Sequence, residues 1–217
     1  LHPIMEKYIR NFYSKKAEEL LAAKCQQRLK ELLMTGPVGH VHTADQGLVF
    51  APKYQPTRCR ILACCPPIEN EVVAFTMLDA DGRLVETMNW KTFFMENTKL
   101  DRHREAIRDR QITELSEFIA KHRPDAIAVA LTGVNANHIV VSVERAVSLS
   151  QVGAPIHKVP DDVAKIYEAS KKSAAEFPEL RPVFRRAISI GRRLNDPLSE
   201  IANLFDTREI TVLKFHS

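Results

Sequence analysis

A chain of 217 residues, 45% hydrophobic and 27% charged, has the make-up of a globular protein with one ordinary core and room for a smaller appendage. Its net charge of +4 is too small to declare a nucleic-acid partner by itself, and no apolar run approaches the roughly 20 residues of a membrane helix. The four cysteines, Cys25, Cys59, Cys64 and Cys65, fit no zinc template and read as reduced thiols of a reducing compartment.

From Ile4 to Met34 the residues Ile9, Phe12, Leu20, Leu21, Leu29, Leu32 and Leu33 recur at helical spacing, which predicts one long amphipathic helix or two with a break. Residues 35–57 carry Gly36-Pro37, Gly39, Gly47, Pro52 and Pro56 and read as a loop or linker, the best domain boundary in the chain. Arg58 to Cys65 is a short apolar run predicted as the central strand, so Cys64 and Cys65 point to opposite faces. Val72–Leu78 and Leu84–Asn89 read as two further strands joined by the turn Asp79-Ala80-Asp81-Gly82. Leu100–His122 is helical, with Ile107, Ile112, Leu115, Phe118 and Ile119 on one side. Ala126–Leu131 is almost continuously apolar, as a buried parallel strand should be. A helix over Asn135–Ser150, a strand over Pro155–Val159 and a helix over Pro160–Ala175 follow, the last with Asp161 and Asp162 at its start.

Three antiparallel strands followed by helix, strand, helix, strand, helix is ribonuclease-H-like wiring. The predicted architecture is α/β: a mixed five-stranded sheet flanked by helices, with a helical arm at 1–34, a linker at 35–57 and the domain at 58–217. The chain opens on Leu1-His2-Pro3 and closes on a strand-like Leu213-Lys214-Phe215-His216, and it reads as a piece of a longer protein.

From Ile166 to Leu198 the sequence runs IYEASKKSAAEFPELRPVFRRAISIGRRLNDPL. Glu176-Phe177-Pro178, Arg186-Ala187-Ile188-Ser189-Ile190 and Arg192-Arg193-Leu194-Asn195-Asp196-Pro197-Leu198 resemble the signature of the family that comprises the bacterial Tex protein and the eukaryotic suppressor-of-Ty-six elongation factors and histone chaperones. The block from His2 to Cys25 is similar to the helical segment that precedes the YqgF, ribonuclease-H-like domain of that family. Leu213–His216, Lys171–Phe177 and a first strand without an aspartate-containing turn are closer to the eukaryotic branch. That resemblance implies a nuclear protein that works with the RNA polymerase II elongation complex, histones and nucleosomes.

A nuclease of this fold holds two metal ions about 4 Å apart with converging carboxylates. The resemblance implies one acid on the first strand, one at the end of the fourth and one near the start of a later helix. Ala63 and Cys64 stand on the first strand and Leu131 and Thr132 at the end of the fourth, so these positions carry no acid. Asp161 and Asp162 remain and read as helix-capping residues. No metal, cofactor or catalytic residue is assigned, and the expectation is a pseudo-nuclease. His40 and His42 lie in the predicted loop without partners, and Glu69 and Glu71 follow the first strand at a predicted turn. Arg181, Arg185, Arg186, Arg192 and Arg193 form an acid-free basic segment, a candidate surface for phosphates or an acidic protein. Its bland alternative is that some of these arginines pair with Glu179, Asp196 and Glu200, while Val183, Ala187, Ile190 and Leu194 face the core. A noncatalytic scaffold is weighed against a metal-dependent junction or RNA nuclease, which the missing acids oppose, and against a simple nucleic-acid-binding module, which would need a more basic face.

Overall fold

The computed structural model describes residues 2–34, 58–67, 72–94, 101–131 and 135–205. The element order is α1 (His2–Met34), β1 (Ile61–Cys65), β2 (Val73–Leu78), β3 (Leu84–Trp90), α2 (Arg102–His122), β4 (Ala126–Ala130), α3 (Asn135–Ser150), β5 (Ile156–Val159), α4 (Asp162–Ala169), α5 (Lys171–Glu176), α6 (Pro182–Asn195) and α7 (Pro197–Phe205). The predicted linker, with His40 and His42, the turn with Glu69 and Glu71, and the closing Leu213–His216 lie outside the described residues.

The strands form one mixed sheet in the order β3-β2-β1-β4-β5. β1 pairs antiparallel with β2 and parallel with β4, and β4 pairs parallel with β5. The meander is held by the β2–β3 turn, where Asp79 Oδ1 accepts the backbone N–H groups of Asp81 (3.0 Å) and Arg83 (2.8 Å). Gly82 supplies the positive φ of 75° that this turn requires. β1 and β4 are buried along their whole length, which is why their sequences are continuously apolar rather than alternating.

Two cores lie on opposite faces of the sheet. On one, Leu62, Cys64, Phe75, Ile127 and Val129 pack against α2 and α3 through Ile112, Leu115, Ile119, Ile139 and Val143. On the other, Ile61, Ala63, Cys65, Ala128 and Ala130 pack against α6 through Val183, Ala187, Ile190 and Leu194. The small residues of the second set let α6 lie close to the sheet. A Cβ added at Gly191 would stand 2.5 Å from Leu78 Cδ1 and 3.1 Å from the Cβ of Ala63. α6 runs antiparallel to β1, because Asn195 at its C-terminal end accepts from Cys59 N (3.2 Å) and donates to Ala80 O (3.0 Å) beside the start of β1.

One expectation is corrected, one of two alternatives is decided and one element is added. The helix predicted over Pro160–Ala175 is two helices. Ser170 ends α4 with extended backbone and caps α5, its side chain accepting from Ser173 N at 3.0 Å. α1 is one unbroken helix, yet Ile9, Phe12, Leu20 and Leu21 are exposed rather than set into a core. α7 was not predicted at all: it is nine residues long, and Asp196 caps it by accepting Ser199 N at 2.9 Å.

Candidate functional site

Strand alternation decides first what the ribonuclease-H position can hold. Ala63 faces α6 and Cys64 faces α2 and α3, so the two residues cannot serve one site. Both are fully buried. Ala63 lies on the α6 face, where its Cβ would stand 3.1 Å from a Cβ added at Gly191, a close approach of strand and helix. Burial also pushes the Cys64 thiol well above its ordinary range, with Cys65 beside it adding to the shift, which leaves it a neutral packing group.

At the C-terminal end of β4, Leu131 is 44% exposed and donates its backbone N–H to Val159 O at 2.8 Å. Thr132 lies outside the described residues. Past β5, Asp161 is buried and ion-paired with Lys165 at 3.0 Å, while Asp162 is exposed in the first turn of α4. Asp161 occupies the N-cap position without a side-chain cap hydrogen bond, so the capping role expected of it is replaced by an ion pair within α4. Among the described residues no three His, Cys, Asp or Glu side chains converge as metal ligands would. The residues expected at the metal positions do not fit a two-metal site, in keeping with a loss of nuclease chemistry.

The arginine segment divides sharply. Arg186 is buried and its Nε and Nη2 both donate to Glu168 on α4. Arg193 is fully buried and donates from Nη1 to Pro160 O at 2.8 Å. Arg192 donates from Nη2 to Glu176 Oε1 (2.6 Å) and from Nε to Gly82 O (2.9 Å), which ties α5 and the β2–β3 turn to α6. Tyr167 Oη, itself buried, donates to Glu176 Oε2 at 2.5 Å. Burial pushes the Glu176 carboxyl up, but the Arg192 and Tyr167 hydrogen bonds outweigh it and hold it below the usual range. Three of the five arginines are therefore structural: Arg186 pairs with Glu168, Arg192 with Glu176 and, at longer range, with the expected Glu200, and Arg193 bonds the Pro160 carbonyl. Arg181 stays exposed and Arg185 half-buried, and these two are what remains of the candidate surface. Val183, Ala187, Ile190 and Leu194 face the core as expected.

Residues 56–205 match the family model described as YqgF, Holliday-junction resolvase-like of SPT6. The chain belongs to this family. Among curated proteins it is 25% identical over 228 residues to the transcription elongation factor SPT6-like of Arabidopsis thaliana, covering 99% of this chain and 16% of that protein. The SPT6 of Drosophila melanogaster is 24% identical, with 99% and 12% covered. An uncharacterized protein of Neisseria meningitidis is 29% identical over 188 residues, with 86% and 20% covered. The chain thus spans a small part of the relatives it matches. Among solved structures, Thermus thermophilus RuvC in complex with a Holliday junction superposes with a TM-score of 0.44 at 14% identity, covering 61% of this chain and 90% of that one. That likeness is too remote to argue from. What YqgF membership adds to the geometry is a kinship with SPT6-type scaffold domains, and no helix among the described residues is long and apolar enough to cross a membrane.

Proposed function

We propose that residues 58–217, preceded by the helical arm 1–34, form a noncatalytic scaffold domain of a nuclear transcription elongation factor and histone chaperone. In this reading it acts with the RNA polymerase II elongation complex and nucleosomes. The observation that carries the reading is that, among the described residues, no three His, Cys, Asp or Glu side chains converge as metal ligands, while Ala63 is packed in the core under α6. Support for the biological setting comes from SPT6 relatives that align along nearly the whole chain.

The test is direct. The purified chain, incubated with four-way junctions, RNA–DNA hybrids and single strands in magnesium or manganese, should leave every substrate uncut. Ala63→Asp should also stay silent, since its carboxylate would be driven against α6. Reproducible cleavage that disappears in Asp161→Asn and Asp162→Asn would overturn the scaffold reading. In the longer protein, deletion of residues 58–217 should release polymerase or histones, while Asp161→Asn should retain them.

A further inference from the structure

A cleft of about 500 Å³ opens where the β2–β3 turn meets the junction of α6 and α7, at the end of the sheet where β1 begins. Leu131 and Asp161, two of the expected metal positions, lie past the other ends of β4 and β5, since β1, β4 and β5 run parallel. Four cations line the cleft: Arg58, Arg83, Lys172 and Arg192. Arg192 is committed to Glu176 and Gly82, and Asp196 to the first turn of α7. Arg58 and Arg83 are exposed, and neither guanidinium has a partner among the described residues. Lys172 donates only to Asn203, to Oδ1 at 3.1 Å and to the backbone oxygen at 3.4 Å. Two exposed carboxylates, Asp81 and Glu176, line the cleft with these cations, and Glu176 is already held by Arg192.

A buried carboxyl closes the floor of the cleft. Glu200 is 1% exposed, and its Oε1 accepts from Ser189 Oγ. The Asn203 side chain also helps to hold this carboxyl, and Glu200 and Asn203 both line the cleft.

We propose that this cleft docks a short acidic peptide segment of a partner protein, Arg58 and Arg83 gripping its carboxylates and Ser199 meeting its backbone. Guanidinium groups bind carboxylates through two parallel hydrogen bonds, and a hydroxyl side chain can serve both peptide N–H and C=O. A nucleic-acid strand would instead need an unbroken basic track along its phosphates. The carboxylates of Asp81, Glu176 and Asp196 interrupt any such track here. The proposal gives the scaffold reading a surface but does not depend on catalytic silence: cleavage of a junction would sink that reading and leave this one standing.

The test titrates the 217-residue chain into a fluorescein-labelled peptide of mixed glutamate and aspartate and follows anisotropy. Saturable binding is expected, weakened about tenfold or more by Arg58→Glu or Arg83→Glu and less by Arg83→Gln. Raised salt should weaken it too. The melting temperature should hold in each variant, because neither arginine has a partner to lose. Arg104→Glu, on α2 and away from the cleft, should bind as the parent does. Absence of saturable binding, equal binding by all variants, or displacement of the peptide by duplex DNA at lower concentration would overturn the proposal.

Discussion

Glu200 carries a carboxyl into a place where a charge is expensive. Burial pushes its pKa up from the ordinary 4.5, while the Ser189 hydrogen bond, the nearby Arg192 charge and Asn203 pull it down without cancelling the rise. The sign of the linkage follows. Below about pH 4.5 the group is protonated in both folded and unfolded chains and costs nothing. As pH climbs through that value towards the higher folded pKa, the unfolded chain releases its proton first, so the folded state loses stability. Glu200→Gln removes that loss. Its melting temperature should exceed the parent's at neutral pH, and the gap should close as pH falls towards 4.5. A variant that melts lower at neutral pH would mean that Glu200 is ionised and held by Arg192. This residue also marks a limit of the sequence. Five arginines without an intervening acid were visible, but their partners Glu168 and Glu176 sit on other helices, and only the fold brings them within reach. The signature segments that contain Glu176 and Arg192 are separate in sequence, yet they meet in one ion pair. Ala63 and Cys64 were assigned together for the same reason: the strand was legible, but which face α6 covers was not.

Elements with strong periodicity and clear ends were readable from composition and turn chemistry. Asn135–Ser150 forms as predicted, and β2, β3, β4 and β5 differ from prediction by a residue at one end. The misses are short or unpaired elements. Ser170-Lys171-Lys172-Ser173 holds a cap that restarts the helix, but the apolar period runs through it and hides the break. Asp196-Pro197 is a helix start signal, with a cap residue before a proline at the first helical position, but the nine-residue α7 gives the period little length to register. α1 has the opposite problem: its apolar residues recur correctly, but Tyr8 is 73% and Phe12 59% exposed. Local interactions such as the 3.0 Å Arg10–Glu6 pair contribute only about 0.2–0.5 kcal/mol each. Residues 5–24 are exposed throughout, and most helical stability in proteins comes from packing an apolar face. Backbone amides of residues 5–24 should therefore exchange hydrogen far faster than those of α6 or β1 in the isolated chain, as mass spectrometry would read. Protection of α1 equal to that of the sheet would show that its exposed side chains are covered, for instance by a second copy.

On the scale of the whole molecule, the ordering of meander before parallel extension made the sheet predictable, and it also determines how the protein must open. β1 is hydrogen-bonded on both edges, to β2 and β4, and covered on both faces, by α2 and α3 on one side and by α6 on the other. No local fluctuation at an edge or a terminus exposes it; the two cores must come apart together. Cys64 and Cys65 report that event because both are buried free thiols on this strand, one in each core. Cys25 on the exposed arm and half-buried Cys59 just before the strand are internal references. Treated with a thiol reagent under native conditions, the chain should modify Cys25 first. Cys64 should lag by a factor on the order of 10⁴ or more, the scale set by a global stability of about 5 kcal/mol or above. Its raised pKa slows the reaction further, since the thiolate is the reactive form. Denaturant should abolish the difference, and the denaturant dependence of Cys64 labelling should match that of the far-ultraviolet signal from the whole sheet. Labelling of Cys64 that outruns global unfolding would place β1 at an edge or leave one face uncovered. With that strand uncovered, Ala63 would no longer be packed in the core under α6, and that structural support for catalytic silence would fall with it.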